Sequence, residues 1–215
     1  NKFLVGINMR AQNYNGQVSG INLEHKRMSE IRNELYGDII KKKCDLEDEM
    51  LKNSLSAKKF VAGVDEAGRG PQAGPVVAAA VILGSQHPEG LDDSKKLSPK
   101  KRAILDQKIR DTCLWGIGVV DAEEIDNLNI LKATMKAMTI ALLELLKVSK
   151  KEPSAILIDG NISPYGRCED WRWPKARTII GGDATEPAIS AASIVAKEWR
   201  DRIMNQADQV FPEYG

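Results

Sequence analysis

The sequence predicts an α/β fold, a mixed five-stranded sheet flanked by helices, and three observations predict it. Short continuous apolar runs, each closed by a glycine or an acid, recur from Phe60 onward. Between several of them lie longer segments with apolar side chains three and four residues apart, as helices covering a sheet require. Aromatic residues make up only 5% of the chain, while Ala, Val, Ile and Leu are plentiful. That composition suits helices on a sheet better than an aromatic-rich β-sandwich.

Taken in order, residues 1–22 are rich in Asn, Gln and Gly and predict no regular structure. Residues 24–55 read as helical, with Met28, Ile31, Leu35, Ile39, Leu46 and Met50 forming the apolar positions. Gly37–Asp38 offers a stop and a new N-cap, so one helix or two fit equally. Residues 1–59 thus form an N-terminal helical extension, either a packing arm or a substrate- or partner-binding one. FVAGVDE is a buried strand that runs into the turn AGRGPQAG, and PVVAAAVIL is a second, continuous apolar strand. PKKRAILDQKIRD, residues 99–111, is an amphipathic helix with Ser98 as N-cap ahead of Pro99. LWGIGVVD is a third strand. NILKATMKAMTIALLELLK, residues 129–147, is a helix apolar over much of its surface, closed off by Pro153. AILIDG and RTIIGGD are the fourth and fifth strands. AISAASIVAKEWRDRIM is a final helix whose Ala and Ser residues allow close packing.

Composition narrows the function. A chain of 215 residues holds one full domain with a sizeable core. Its formal net charge is +1, so a nucleic-acid partner must be met by local basic clusters and not by a global field. The three cysteines, Cys44, Cys113 and Cys168, make no CxxC pair, which argues against a disulfide framework or zinc knuckle and for a reducing cytosol. Two histidines, His25 and His87, leave little material for a His-based triad. No apolar run reaches the length of a membrane span, and NKFLVGINMR lacks the apolar core of a secretory signal. The chain opens on Asn1 and not on Met, as a fragment would. Nothing signals oligomerisation, so a monomer is expected.

The glycine-rich turn is easily misread. GRGPQAG after a strand resembles a dinucleotide fingerprint, but its third glycine comes one place late and a strand follows instead of a phosphate-binding helix. Asp65 and Glu66 end a very apolar strand, where acids are costly unless paired or metal-bound. Neighbours on a strand point to opposite faces. If both serve one site, the backbone must leave strand geometry right after Asp65, and Ala67-Gly68-Arg69-Gly70 supplies the break. Alone, the pair is as consistent with a turn. Asp159 repeats the arrangement, and Asp183, after TIIGG, is a third strand end or else an N-cap. Together, three strand ends finishing in carboxylates mark the edge where an open α/β sheet binds ligands. Four acids in one place repel each other, and divalent cations resolve the conflict. Oxygen-only donors point to Mg2+ or Mn2+. Two such ions clamp the attacking and leaving oxygens of a phosphodiester.

The basic residues fall in clusters: Lys58-Lys59, Lys95-Lys96, Lys100-Lys101-Arg102, Arg172 to Arg177, and Lys197 to Arg202. A charged helix face is usually just solvated. DDSKKLS differs, because a loop between strand and helix can hold a phosphate backbone.

VAGVDEAGRGPQAGPVVAAAVIL, DDSKKLS, LIDGN, and GGD followed by ISAASIVAK and FPEYG resemble type 2 ribonuclease H (ribonuclease HII) from Phe60 to the last residue. The resemblance implies a ribonuclease H-like catalytic domain over 60–215. It implies hydrolysis of the RNA strand of RNA–DNA hybrids and incision 5′ to single ribonucleotides embedded in DNA, with 3′-hydroxyl and 5′-phosphate products. It places the catalytic, metal-binding acids on Asp65, Glu66, Asp159 and Asp183, with two ions among them. Substrate contacts fall on Gly68, Arg69 and Gly70, which sense the ribose 2′-hydroxyl, and on Lys95, Lys96 and Lys197 near the phosphates. Type 3 ribonuclease H and a resolvase-like nuclease are the neighbouring enzyme readings. The family continues past FPEYG with a Lys-Gly-Tyr segment, whose Tyr stacks at the RNA–DNA junction, and a helical region. The expectation is therefore of a C-terminally truncated domain that folds and binds metal but cleaves weakly or only binds hybrids.

Overall fold

A computed structural model describes residues 60–212. The expected extension over 1–59, Lys58-Lys59 included, lies outside them.

Strands β1 (Val61–Ala67), β2 (Val76–Ile82) and β3 (Leu114–Val120) form an antiparallel meander. Strands β4 (Ala155–Asp159) and β5 (Arg177–Ile179) add in parallel on the other side of β1. The sheet order is β3-β2-β1-β4-β5. Every residue of β2 is buried. A strand covered on both faces has no reason to alternate, so VVAAAVI reads as one apolar run. Val76, Ala78, Ala80 and Ile82 face one cluster, with helix α3 (Ile130–Ser149). Val77, Ala79 and Val81 face the other, with α1 (Pro99–Thr112) and α5 (Pro187–Val210). The result is three layers, helix on sheet on helix.

The caps follow the sequence. Ser98 accepts a hydrogen bond from the Lys101 backbone N–H at 3.3 Å and opens α1 ahead of Pro99. Helix α3 ends at Ser149, where Lys150 turns left-handed at φ 49°, ahead of Pro153. Two short helices were not expected. Helix α2 (Ala122–Leu128) is capped by Asp121 and has no buried residue, so it leaves no apolar stripe to read. Its last carbonyls and the start of α3 meet at Asn129, whose side chain caps the second helix. Helix α4 (Gly182–Thr185) follows β5.

Two expectations need correction at the site edge. Strand β1 does not stop at Asp65. It continues through Ala67, pairing Glu66 with Ala78 and Ala67 with Val77, because β2 is long enough to keep the ladder going. Asp183 is not at a strand end either. Gly181, at φ 67°, turns the chain after β5 and places Asp183 in the first turn of α4. No described helix is long and apolar enough to cross a membrane.

Candidate active site

The parallel pairing of β1, β4 and β5 brings their C-terminal ends to one edge of the sheet. Val64 pairs with Ile158 and Asp159 with Ile179, so Asp65 and Asp159 emerge side by side, and the α4 turn swings Asp183 back over them. Carboxylate oxygens of Asp65, Asp159 and Asp183 lie within 4.8 Å of one another. The Asp183 backbone N–H donates to Asp159 Oδ1 at 3.2 Å, and Asp65 Oδ1 accepts from the Glu66 backbone N–H at 2.7 Å. Glu66 stands outside this group of three. Its carboxylate accepts from Arg69 Nη1 at 3.2 Å, although it still feels the charge of Asp159.

Burial pushes the Asp65 carboxyl well above the usual carboxylate range, and the charges of Glu66 and Asp159 push it further. Asp183 is raised by burial and then by Asp159 and Asp93. Glu66 is raised by burial, against the pull of Arg69. The positive charges of Arg69 and Lys95 pull the other way without offsetting burial and mutual repulsion. An oxygen-only cluster with an excess of buried negative charge fits a hard divalent cation such as Mg2+ or Mn2+ and does not fit zinc.

Helix α5 organises the rest. Gly63 lets it approach β1, since a Cβ there would overlap the Ala188 carbonyl and the Ile189 nitrogen. Ser190, Ser193, Lys197, Arg200 and Met204, spaced three and four apart, form one stripe along it. Ser190 Oγ donates to the Asp183 carbonyl at 2.7 Å. Ser193 lies beside Asp65, where its hydroxyl draws the carboxyl down, and donates to Ser94 Oγ at 2.8 Å. Lys197 reaches Asp201 at 2.6 Å. Arg200 donates through Nε to the Pro75 carbonyl at 3.1 Å and through Nη2 to the Ala73 carbonyl at 2.8 Å.

The predicted substrate residues take different places. Lys95 sits where its charge acts on Glu66 and Asp183, in a loop tied by Asp93 Oδ1 to the Lys95 backbone N–H at 2.9 Å. Lys96 makes an exposed ion pair with Asp92 at 3.6 Å, worth little by itself. Arg69 is exposed, as is Gly70, where an added Cβ would meet nothing within 4 Å. Arg102 leaves the basic clusters altogether. It is buried, bonded to Glu198 at 2.7 Å, Asp201 at 3.1 Å and the Ser94 carbonyl at 3.3 Å. Arg172 pairs with Glu152 at 2.8 Å and stacks on Trp173. Ser94, Ser193, Arg102 and Arg200 were not singled out as site residues from the sequence. The polar stripe inside an otherwise apolar helix is the signal that marks Ser193 and Arg200.

A family model described as Ribonuclease HII matches residues 62–215. A Ribonuclease HII of Erythrobacter litoralis is 65% identical over 159 residues, covering 74% of this chain and 74% of that protein. Among solved structures, the ribonuclease H2 from Pyrococcus horikoshii superposes with a TM-score of 0.59 at 30% identity, covering 72% of this chain and 78% of that one. Bst-RNase HIII, crystallised with Mn2+, shares the fold with a TM-score of 0.62 at 23% identity, covering 70% of this chain and 54% of that one.

Proposed function

The chain belongs to the ribonuclease HII family, whose members are metal-dependent endoribonucleases acting on RNA–DNA hybrids, and we propose that it hydrolyses the RNA strand of such hybrids and incises 5′ to single ribonucleotides embedded in duplex DNA. The observation that carries the proposal is the convergence of Asp65, Asp159 and Asp183 at the end of the parallel strands. These three acids, joined by Glu66, would hold two divalent ions, Mg2+ or Mn2+. Bound there, the ions supply charge against the phosphodiester and make water a better nucleophile. The water oxygen bonds to phosphorus and the 3′ oxygen leaves, giving 3′-hydroxyl and 5′-phosphate ends.

The chain's own residues orient the substrate. Gly68, Arg69 and Gly70 lie directly after the strand that carries Asp65 and Glu66. The fold itself does not demand a glycine at Gly70, where a side chain would meet open space. A backbone approached by something else explains it better, and the ribose 2′-hydroxyl is the group that separates RNA from DNA. Lys95, Lys96 and Lys197 meet phosphates and fix register. The enzyme works in the cytoplasm, as a monomer.

The test is a duplex with one embedded ribonucleotide, incubated with Mg2+ and with Mn2+. Nicking on its 5′ side is expected, with a loss of at least ~100-fold in Asp65→Asn. Cleavage of ribose-free DNA, or undiminished nicking by the variant, defeats the proposal.

A further inference from the structure

The loop from Gly68 to Gly74 has little of its own to hold it. Residues 69–72 are exposed, and among the described residues no backbone–backbone hydrogen bond outside the sheet ties 68–74 together. Arg69 pairs with Glu66 at its start, and one side chain from α5 holds its far end. Arg200 is 7% exposed, and its guanidinium reaches the Ala73 carbonyl at 2.8 Å and the Pro75 carbonyl at 3.1 Å. The loop is shaped around this fork. Gly68 sits at φ +106°, where a Cβ would lie 2.7 Å from Arg200 Nε and 2.5 Å from the Pro75 oxygen. A Cβ at Gly74 would run into the Met204 sulfur, one helical turn beyond Arg200, and stand 3.3 Å from Arg200 Nη2.

A buried guanidinium spends its charge on what it touches. Here it touches backbone carbonyls of the loop. Lysine has the charge but not the planar fork that grips two carbonyls at once. The same helix carries Ser190, which donates to the Asp183 carbonyl, and Ser193, which stands beside Asp65. Loop and carboxylates are thereby referred to one rigid element.

We propose that Arg200 is a positioning residue for substrate discrimination: it clamps the Gly68–Gly74 loop at a set distance from the carboxylates, so that the loop backbone meets a ribose and not a deoxyribose. This rests on the reading of the loop as the ribose-sensing element. Arg200 touches no substrate and acts through the loop.

The experiment compares the full chain with Arg200→Ala and Arg200→Lys in three measurements. Amide hydrogen exchange over residues 68–74 reads the clamp. Fluorescence anisotropy with an RNA–DNA hybrid and a DNA duplex of the same sequence, in Ca2+ to hold off cleavage, reads discrimination. Calorimetric titration with Mn2+ alone reads the carboxylates. For Arg200→Ala, exchange in the loop rises, and hybrid affinity drops by about tenfold or more, because binding must then order a loop that two charge-assisted bonds no longer hold. Affinity for the DNA duplex and for Mn2+ stays as in the parent. Arg200→Lys recovers part of the hybrid preference, and carries the test alone if the alanine variant does not fold. Unchanged loop exchange, or equal weakening of hybrid and DNA duplex, overturns the proposal. A parent chain with no hybrid preference overturns the functional reading instead, and loop exchange then decides the clamp by itself.

Discussion

Replacing Asp65 with Asn should make the metal-free protein more stable while destroying its metal response. Asp65, Asp159 and Asp183 present oxygens within 4.8 Å of one another. Two unit charges at that separation repel by about 3.5 kcal/mol at an effective dielectric of about 20. Asp65 takes part in two such pairs, and the upward shift of its carboxyl relieves part of the strain by favouring the protonated form. The Asn side chain is isosteric and keeps the oxygen that accepts from the Glu66 backbone N–H. The net gain expected near pH 8 is therefore about 1–3 kcal/mol, or about 3–10 °C in Tm for a domain of this size. The sign follows from linkage. Asp65 is raised in the folded state, so its contribution to stability is present below the ordinary carboxylate range and is lost as pH climbs through the raised folded value. Asn does not titrate, so the variant's advantage is small near pH 4 and grows toward pH 8. Thermal unfolding with a chelator across that range measures it. Saturating Mn2+ should then stabilise the parent more than the variant and shrink or reverse the gap. A variant that melts below the parent in chelator at pH 8, or a gap that ignores pH, refutes the electrostatic account of the site.

Three further outcomes follow from the geometry. Gly63→Ala drives a methyl group into the backbone of α5 at Ala188 and should cost about 3 kcal/mol in urea unfolding, with activity falling alongside. Lys95→Ala should leave the melting temperature unchanged, weaken hybrid binding, and reduce the salt dependence of binding by about one phosphate contact in a titration series. Arg102→Ala strands Glu198, leaves Asp201 to Lys197 and frees the Ser94 carbonyl. It should destabilise by about 3–5 kcal/mol, as loss of one buried ionic partner does, and circular dichroism melts would show it.

Much of the architecture was legible because β1, β2 and β3 are largely buried on both faces and so appear as apolar runs. The acids at Asp65 and Asp159 stood out for the same reason, as charges at the end of segments that otherwise exclude charge. What did not show depends on partners far along the chain. Arg200 reads in sequence as one member of a basic helical cluster, since nothing local says that it is buried against a loop more than a hundred residues earlier. Arg102 was misplaced for the same reason, its acidic partners lying on another helix. Asp183 was placed at a strand end because two glycines leave the turn between β5 and α4 unspecified in sequence. Helix α2 was passed over because it has no fully buried residue and rests little more than Ile125 against the core, too little for an apolar stripe.

The residues that escaped notice share one helix face, and that changes what α5 is for. Its apolar side completes the core with Ile194, Val195 and Trp199. Its polar stripe bonds the Asp183 carbonyl, Ser94 in the basic loop, and the glycine loop through Arg200. Components from three separate segments are thus positioned against a single rigid rod. A shift of α5 by even a fraction of a turn would move Asp183, Ser94 and the glycine loop together relative to the sheet, and since Asp65 and Asp159 are fixed by β1 and β4, it would break the carboxylate cluster first. The close contact at Gly63 resists that shift. A glycine deep in a strand, distant in sequence from every acid but Asp65 and Glu66, therefore helps decide whether the three carboxylates meet.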